Sequence, residues 1–544
     1  MRFAILLFGF VQIFTINSFA QCSEQDEARA LLIGDSWAFF MGVDGTLNEV
    51  FERWGHSNVK FYTNVEVAVN GARTTDFLEP NMQTEIRNII NNTPDIDVVH
   101  LSIAGNDVLG QWDVNFTQAE LDDLVDEVYG QTDSIIRFLK TLKPGIKVVF
   151  SGYVYPNFEE VLVDNNPLGN AHPFYGTWSG MGFPSFLQIN TILNDFSELI
   201  EDYAAADPQV EFFKVPGLLQ YTFGQTTPLA VAPGGSYPPF TQSLPFGDPS
   251  YPSPQNSMRD YFGITRDCFH LSPQGYRDLI SYHTQKFYHK FFMDDQYLFN
   301  ESNFSGSVSN LQNTSNELKI GQESGEIYQM LIDFNTNDLI WSEVEAAELF
   351  LQIENISGNN PLNTELEISI VTGSFGSSRD LDPADWNAAS EWFNSPCVFG
   401  NTNEISRWVR IKIPADAVNA IPANAPCQLL VQSTNSSDGF IRFNNTSDPD
   451  FSPVLNIKFD ENYVGIKAQD IASNITVFPN PSEDYIYLKS EPKILSVLVL
   501  NLLGQEILEI KNSENINISG LTAGNYYLRI ETKKGFAMKS FIKK

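Results

Sequence analysis

The chain has 544 residues, which is too long for a single hydrophobic core, so we expect two to four domains. Its content of 42% hydrophobic and 13% aromatic residues is typical of globular rather than disordered proteins. A net charge of -34 argues against a nucleic-acid partner or an anionic membrane surface, because both carry negative charge themselves.

The first 20 residues have the layout of a signal peptide. Arg2 supplies the positive charge, Phe3–Phe14 the apolar stretch, and Ser18-Phe19-Ala20 fits the cleavage rule. The mature chain is therefore predicted to start near Gln21, and this residue is not the small one that lipidation of Cys22 would require. No later apolar stretch approaches the ~20 residues needed to cross a bilayer, so we expect an exported protein without a membrane span.

Strand-like and helix-like patterns alternate from Ala28 to Phe292. This repeated β-α-β order predicts an α/β fold in which helices cover both faces of a parallel sheet. Ligands of such sheets bind at the carboxyl ends of the strands. In chain order we expect strands at 30–33, 97–103, 146–150 and 210–213, a helix from the capping box Thr117–Glu120 to Pro144-Gly145, a helix over 189–203, and a helix that begins at Ser272-Pro273.

Residues 221–262 interrupt this alternation. They are rich in proline, glycine, serine and aromatic residues, as in Pro233-Gly234-Gly235 and Pro245-Phe246-Gly247. Long loops inside a domain are usually either functional or disordered. Because this one leads towards Asp267, we interpret it as a rim or lid over a substrate pocket.

Short alternating strands dominate from about Glu301 to Phe459, which predicts an all-β sandwich. Trp341, Trp386 and Trp392 give this region a loose resemblance to jelly-roll accessory modules of the carbohydrate-binding type. Tryptophans of a sandwich either stack on sugar rings or belong to the core, and the sequence leaves both readings open.

The last ~70 residues contain a third pattern, with the segments Val477–Pro481, Leu502–Gln505 and Leu521–Tyr527 before a basic end at Lys543-Lys544. This spacing is similar to the type A sorting domain of the type IX secretion system. The resemblance implies a small β-domain, type IX secretion machinery as a partner, and export across an outer membrane. An ordinary immunoglobulin-like domain is the alternative.

Four cysteines are too few for a disulfide scaffold. Cys397 and Cys427 lie in the same predicted domain, and an oxidising compartment would allow them to pair. The sequence leaves open whether they do. No cysteine–histidine cluster has the spacing of zinc ligands.

Four short blocks, far apart in the chain, carry the chemistry. They are Gly34-Asp35-Ser36, Asn70-Gly71, Gly105-Asn106-Asp107 and Asp267-Cys268-Phe269-His270. In this order and at these distances they resemble the SGNH (GDSL-type) hydrolase family. The resemblance covers roughly half of the chain and implies a three-layer α/β/α sandwich with a parallel sheet, followed here by two all-β domains.

The family resemblance implies a role for each residue. Ser36 would be the nucleophile, His270 the base, and Asp267 the acid that orients the imidazole. The backbone N–H groups of Ser36 and Gly71 and the side-chain amide of Asn106 would form the oxyanion hole. Neither a metal nor a cofactor is expected, and we expect Asp267 and His270 to share the first turn of a helix.

Other residues in or near the blocks are expected to have structural rather than catalytic roles. Asp35 and Asp107 are expected to hold their loops by local hydrogen bonds, and Trp37 replaces the leucine of the motif's name. A Cys268 nucleophile would lack an oxyanion hole. His283 and His289 are expected to be surface or core residues.

The predicted layout is a signal peptide (1–20), the hydrolase domain (21–295), a β-sandwich accessory domain (300–460) and a sorting domain (470–544). The predicted function is that of a secreted serine esterase that acts on O-acetyl groups of polysaccharides, with a lipase-type esterase on lipids as the alternative. An inactive surface binding protein and a metal-assisted phosphoesterase that uses Asp35, Asp107 and His270 are the rivals.

Overall fold

A computed structural model of the chain describes residues 24–162, 171–224, 237–337, 344–395, 397–422, 425–434, 437–459, 475–490, 493–501, 506–511, 513, 515–532 and 535–544. The predicted signal peptide, Cys22 and Trp341 lie outside these residues. So do 225–236 of the predicted lid, together with Leu502–Gln505 of the C-terminal pattern.

A five-stranded parallel sheet forms the centre of the N-terminal half, in the order β2-β1-β3-β4-β5. Its inner strands are buried on both faces, which explains their continuous apolar sequences. The predicted α/β class is thereby confirmed, although the edge strand β2 was not predicted. The strands are β1 Glu27–Gly34, β2 Val59–Tyr62, β3 Val98–Ser102, β4 Lys147–Phe150 and β5 Val210–Phe212, followed by the hairpin β6 Met258–Tyr261 and β7 Thr265–Leu271.

Helices pack on both faces of this sheet, as two separate buried clusters of apolar side chains indicate. Thr117 and Glu120 form the predicted capping box, and Ser272 caps the helix that starts at Pro273, so both predicted helix starts are confirmed. None of the helices in the described ranges is long and apolar enough to cross a bilayer. The helices are α1 Ser36–Asp44, α2 Thr46–Arg53, α3 Thr74–Leu78, α4 Pro80–Asn92, α5 Gly105–Gln111, α6 Gln118–Lys140, α7 Glu159–Leu162, α8 Tyr175–Gly180, α9 Phe186–Ala206, α10 Leu218–Phe223, α11 Pro273–His283, a π-helical turn Thr284–Tyr288, and α12 His289–Phe291.

The strands of the middle β-region (β8–β20) pair in antiparallel fashion around a core of their own. Trp386 and Trp392 pack against a small buried cluster that includes Val308 and Phe375, which favours the core reading of these tryptophans. The elements are β8 Gln296–Phe299, β9 Gly306–Ser309, β10 Thr314–Ser315, β11 Leu318–Glu323, β12 Glu326–Asn335, β13 Val344–Gly358, β14 Leu366–Thr372, β15 Phe393–Asn394, β16 Val398–Phe399, β17 Trp408–Lys412, α13 Ala415–Val418, β18 Pro426–Ser433, β19 Gly439–Phe443 and β20 Val454–Phe459.

The C-terminal β-region (β21–β27) contains one three-stranded and one four-stranded antiparallel sheet. All-β structure in both regions after the parallel sheet agrees with the predicted class, whereas the domain boundaries 21–295, 300–460 and 470–544 stay predictions. The strands are β21 Ile475–Phe478, β22 Tyr485–Ser490, β23 Ile494–Leu500, β24 Glu506–Lys511, β25 Asn515–Asn517, β26 Gly524–Thr532 and β27 Gly535–Lys543.

The structure answers the question that the sequence left open about the cysteines. Cys427 is a free thiol whose side chain is fully buried in the core of the middle β-region. Cys397 is disulfide-bonded, so its partner is not Cys427. Cys268, in the hydrolase half, is free and buried as well.

Candidate active site

Ser36 lies directly after the carboxyl end of β1, as the first residue of α1. Gly34 has a φ of +143°, and a Cβ at this position would come within 1.9 Å of the Ser102 carbonyl oxygen, so the close approach of β1 to β3 requires glycine. Asp35 caps the helix, because its Oδ1 accepts the N–H of Trp37 at 2.9 Å. The Ser36 N–H is thereby left at the free, positive end of a helix.

The Asp35 carboxylate accepts a second bond from outside the four blocks. The Tyr153 hydroxyl donates to Asp35 Oδ2 at 2.5 Å. Burial raises the pKa of Asp35 to about 6, and this hydrogen bond opposes the rise. Asp35 therefore holds its loop by hydrogen bonds, in line with its predicted role.

The second and third blocks bring two further donors to the same place. Gly71 adopts a φ of +83°, and a Cβ there would meet nothing within 4 Å, so its backbone faces open space. The Asn106 amide donates one hydrogen to the Ala72 carbonyl oxygen at 2.9 Å, which fixes its plane, and its second N–H bonds to none of the described residues. Ala104 precedes this block with a φ of +95°, a strained conformation for alanine that is often found at functional sites.

Asp107 connects the two donor blocks. Its carboxylate accepts the N–H of Thr74 at 3.0 Å and the Thr74 hydroxyl at 2.8 Å. Thr74 is the first residue of α3, immediately after the Gly71 turn. Asp107 thus has the structural role that the sequence predicts, since its oxygens bond protein donors.

Asp267 and His270 make the predicted contact, but not on a helix. His270 Nδ1 lies 2.8 Å from Asp267 Oδ2, while Asp267 Oδ1 accepts the N–H groups of Phe269 and His270 at 2.8 Å each. The expected helical turn is wrong, because both residues belong to β7, which pairs with β6. The three bonds to Asp267 curl the strand locally, and α11 begins only at Pro273.

Two aromatic side chains connect the serine helix to the imidazole. The indole N–H of Trp37 donates to the Phe269 carbonyl oxygen at 3.2 Å. The ring of Phe40, also on α1, packs against the imidazole of His270 with 4.7 Å between centroids. The first and fourth blocks are therefore held together by packing and by a hydrogen bond.

A cavity of about 610 Å³ opens where the four blocks meet. Ser36, Gly71, Asn106 and His270 all line it, and Asp267 lies behind the imidazole. No hydrogen bond joins the Ser36 hydroxyl to the imidazole in the part of the chain that the structure describes. Such bonds are often long before substrate binds.

The walls of this cavity are mainly apolar and come from α5, α8 and α9. None of the described residues of 221–262 lines it, so its shape does not depend on the described part of that segment. The lid itself stays a prediction, because 225–236 lie outside the described residues. The principal apolar wall residues are Val108, Leu109, Trp112, Phe174, Ile189, Ile192, Leu193 and Phe196.

The remaining candidates from the sequence lie away from the cavity. Cys268 is buried, and burial raises the pKa of its thiol, which disfavours the thiolate that a nucleophile requires. His283 and His289 are both core residues. Sequence reasoning missed Tyr153, although a polar residue just past the carboxyl end of β4 is where a parallel sheet places its ligand site.

Comparisons with known protein families match two segments of the chain. Residues 32–277 match the GDSL-like Lipase/Acylhydrolase family, and residues 476–544 match the Secretion system C-terminal sorting domain. No curated protein matches the chain.

Several solved structures are similar over about half of the chain. A possible lipase from Chitinophaga pinensis DSM 2588 is 19% identical, with 49% of this chain and 99% of that chain covered and a TM-score of 0.26. A GDSL-like lipase from Bacteroides thetaiotaomicron VPI-5482 is 15% identical, with coverage of 47% and 86% and a TM-score of 0.27. A family 3 carbohydrate esterase from Clostridium thermocellum is 17% identical, with coverage of 48% and 94% and a TM-score of 0.24.

Proposed function

We propose that Ser36 is the nucleophile of a serine esterase. The premise is that residues 32–277 are a GDSL-like lipase/acylhydrolase domain and that a type IX sorting domain exports the chain to the cell surface or the extracellular space. The observation that carries the proposal is the meeting of the four blocks at one cavity, with His270 Nδ1 bonded to Asp267.

The reaction would proceed through an acyl-enzyme. The Ser36 oxygen attacks the ester carbonyl carbon while His270 Nε2 takes the hydroxyl proton, because Nδ1 is engaged with Asp267. The tetrahedral intermediate collapses, the carbon–oxygen bond to the alcohol breaks, and His270 returns the proton to the leaving oxygen. Water then repeats the sequence on the acyl-serine and releases the acid.

Negative charge develops on the carbonyl oxygen in both tetrahedral intermediates. The N–H groups of Ser36 and Gly71 and the free amide N–H of Asn106 are the donors available to it at the cavity. The loss of one such donor typically costs about 3 kcal/mol of transition-state stabilisation. Because Ala72 already fixes the Asn106 amide, little reorganisation is needed when the charge forms.

The cavity favours a substrate with a large apolar group. Its volume of about 610 Å³ is in the range that pockets for drug-sized ligands occupy, roughly 300–1,000 Å³, and a two-carbon acetyl group would leave most of it empty. Ile192 and Phe196 present apolar side chains to it from α9. We therefore place lipid-like acyl esters before acetylated polysaccharides, the second candidate.

The test is hydrolysis of p-nitrophenyl esters with acyl chains from acetate to dodecanoate. Ser36→Ala should lower kcat/KM on the order of 10⁶-fold, as the loss of a serine nucleophile does, whereas Ser134→Ala, an exposed serine on α6, should not change it. Activity that survives in Ser36→Ala would contradict the proposal, and sensitivity of the wild type to chelators would favour the phosphoesterase rival.

Chain length separates the two substrate classes. For an apolar acyl site, kcat/KM should rise by up to about fourfold for each methylene, which corresponds to about 0.8 kcal/mol. Ile192→Gln should weaken this trend, while Leu199→Gln, on the same helix but outside the cavity, should leave it intact. A maximum at acetate, with activity on acetylated glycans, would instead support the polysaccharide candidate.

A further inference from the structure

Tyr153 lies between two of the four blocks without belonging to either. It follows β4 and lines the cavity. Its hydroxyl donates to Asp35 Oδ2 at 2.5 Å and accepts the N–H of Gly105 at 3.1 Å. A single oxygen atom therefore connects the loop of Ser36 with the loop of Asn106.

The bond to Gly105 satisfies a helix end that is otherwise uncapped. α5 starts at Gly105, and the residue before it, Ala104, has no side chain that could cap the helix. The first N–H groups of a helix lack partners within the helix, so the Tyr153 hydroxyl takes the place of a cap. Asn106 is the next residue, and its position depends on how this end is held.

The fit between Tyr153 and Gly105 is close. A Cβ at Gly105 would lie 2.9 Å from Tyr153 Cζ, so the ring packs directly against the backbone at this point. On the other side, Asp35 holds the first turn of α1 through the N–H of Trp37. A shift of the phenol would therefore be transmitted to both loops.

Both partners have the protonation states that this bridge requires. Burial raises the pKa of Tyr153 well above its usual value, so its hydroxyl keeps the proton that it donates. Asp35, with a pKa of about 6, is mainly an acceptor at neutral pH. The bridge is therefore a charge-assisted bond at neutral pH.

We propose that Tyr153 is a positioning residue for ester hydrolysis, whose hydroxyl sets the Asn106 amide relative to Ser36. This inference rests on the proposed function of the four blocks. It predicts that the loss of the hydroxyl impairs oxyanion stabilisation more than substrate binding, because the phenol acts through Asn106 and not on the substrate.

The test is a double-mutant cycle between Tyr153→Phe and Asn106→Ala, measured as kcat and KM on one soluble ester. Tyr153→Phe should lower kcat about 10-fold with KM within about twofold, since misplacement by about 1 Å costs up to 10²-fold. In the Asn106→Ala background the same change should cost less than about threefold, because the group that Tyr153 positions is already absent. Equal losses in both backgrounds, or a change in KM alone, would overturn the proposal.

Two further variants keep the test decisive. Tyr155→Phe removes a hydroxyl two residues away, whose partners are Asn194 and the Phe246 carbonyl oxygen and not the cavity loops, so kcat should not change. Gly105→Ala pushes a methyl group against the Tyr153 ring and should reproduce the loss in kcat if Tyr153→Phe does not fold. If Gly105→Ala left kcat unchanged, the proposal would be wrong.

Ser36→Ala, assayed in parallel, separates this inference from the proposed function. If Ser36→Ala is inactive but the losses from Tyr153→Phe are equal in both backgrounds, only the role of Tyr153 fails. If Ser36→Ala stays active, the serine mechanism itself fails.

Discussion

The two β-regions are attached to the α/β half in different ways. Phe350 and Trp408 of the middle β-region belong to the same buried cluster as Trp54 and Tyr276 of the α/β half. The rings of Trp54 and Trp408 stack at 5.7 Å, and the buried guanidinium of Arg410 donates to the Gly55 carbonyl oxygen at 2.6 Å. The buried cluster of the C-terminal β-region, by contrast, contains only residues between Ile475 and Phe541, all within that region.

This difference in packing indicates a structural role for the middle β-region and a role in targeting the chain for export for the C-terminal β-region. Because the middle β-region completes a hydrophobic core of the α/β half, we expect the two to unfold together. The C-terminal β-region has a core of its own, as suits a sorting domain that acts during export. The middle β-region is therefore better described as part of the enzyme body than as a tethered binding module.

Trp408→Ala is expected to cause the largest loss of stability among the variants that test this difference. The side chain is 1% exposed, and removal of a buried tryptophan typically costs about 3–5 kcal/mol. Since Trp408 stacks on Trp54, this loss should lower the stability of the α/β half and reduce esterase activity near the unfolding temperature. Calorimetry and activity after stepwise heating would measure both.

Phe541→Ala is the matched control in the C-terminal β-region. Phe541 is fully buried in that region's own cluster and stacks on Tyr526 at 5.5 Å. The loss of this side chain should lower only the unfolding temperature of the C-terminal β-region and leave the heat resistance of the esterase activity unchanged. If both variants inactivated the enzyme at the same temperature, the proposed difference between the two β-regions would be wrong.

A smaller effect on the stability of the α/β half is expected when the pH is lowered. Burial lowers the pKa of His289 and of His283 to about 3, and it lowers the pKa of His56 and His100 well below the usual value. All four belong to the α/β half, and the sequence has no histidine after His289. They stay neutral when folded and gain protons on unfolding, so stability is full above about pH 6.5 and falls below it.

The expected loss is up to about 2 kcal/mol per histidine between pH 7 and pH 5. The His289 imidazole lies 3.0 Å from that of His56, and burial and the charge of Lys290 lower its pKa more than its interaction with the Trp54 backbone raises it. His289→Phe should therefore make the pH dependence of unfolding of the α/β half shallower. Buried carboxyls with a raised pKa, such as Asp35, act in the opposite direction, so the comparison with this variant isolates the histidine. An unchanged slope would contradict the assignment.

Much of the fold and the site followed from local sequence signals. The apolar run before Ser36, the capping box at Thr117 and the Ser272-Pro273 helix start depend on neighbours in the chain, and each was predicted correctly. The four blocks were recognisable because their residue types, order and spacing resemble a known family, and those at Ser36 and Asn106 also follow predicted strands.

What the sequence did not reveal depends on contacts between distant segments. Asp267 and His270 are three apart, a spacing that suits a helix, but they lie in β7, whose flanking residues Arg266 and Leu271 pair with β6. Tyr153 is 118 residues from Asp35, so nothing local predicts their bond. Likewise, the contact of Trp408 with Trp54 could not be inferred from strand patterns, because it joins two separately predicted regions.

The central claim is that His270 activates the Ser36 hydroxyl. A fluorophosphonate probe tests it directly, because its phosphorus forms a bond only with an activated serine oxygen while fluoride leaves. After digestion, mass spectrometry of the wild type should find one adduct, on the peptide that contains Ser36, and His270→Ala should abolish it. An adduct on another residue, or none on folded wild-type protein that hydrolyses esters, would contradict the account.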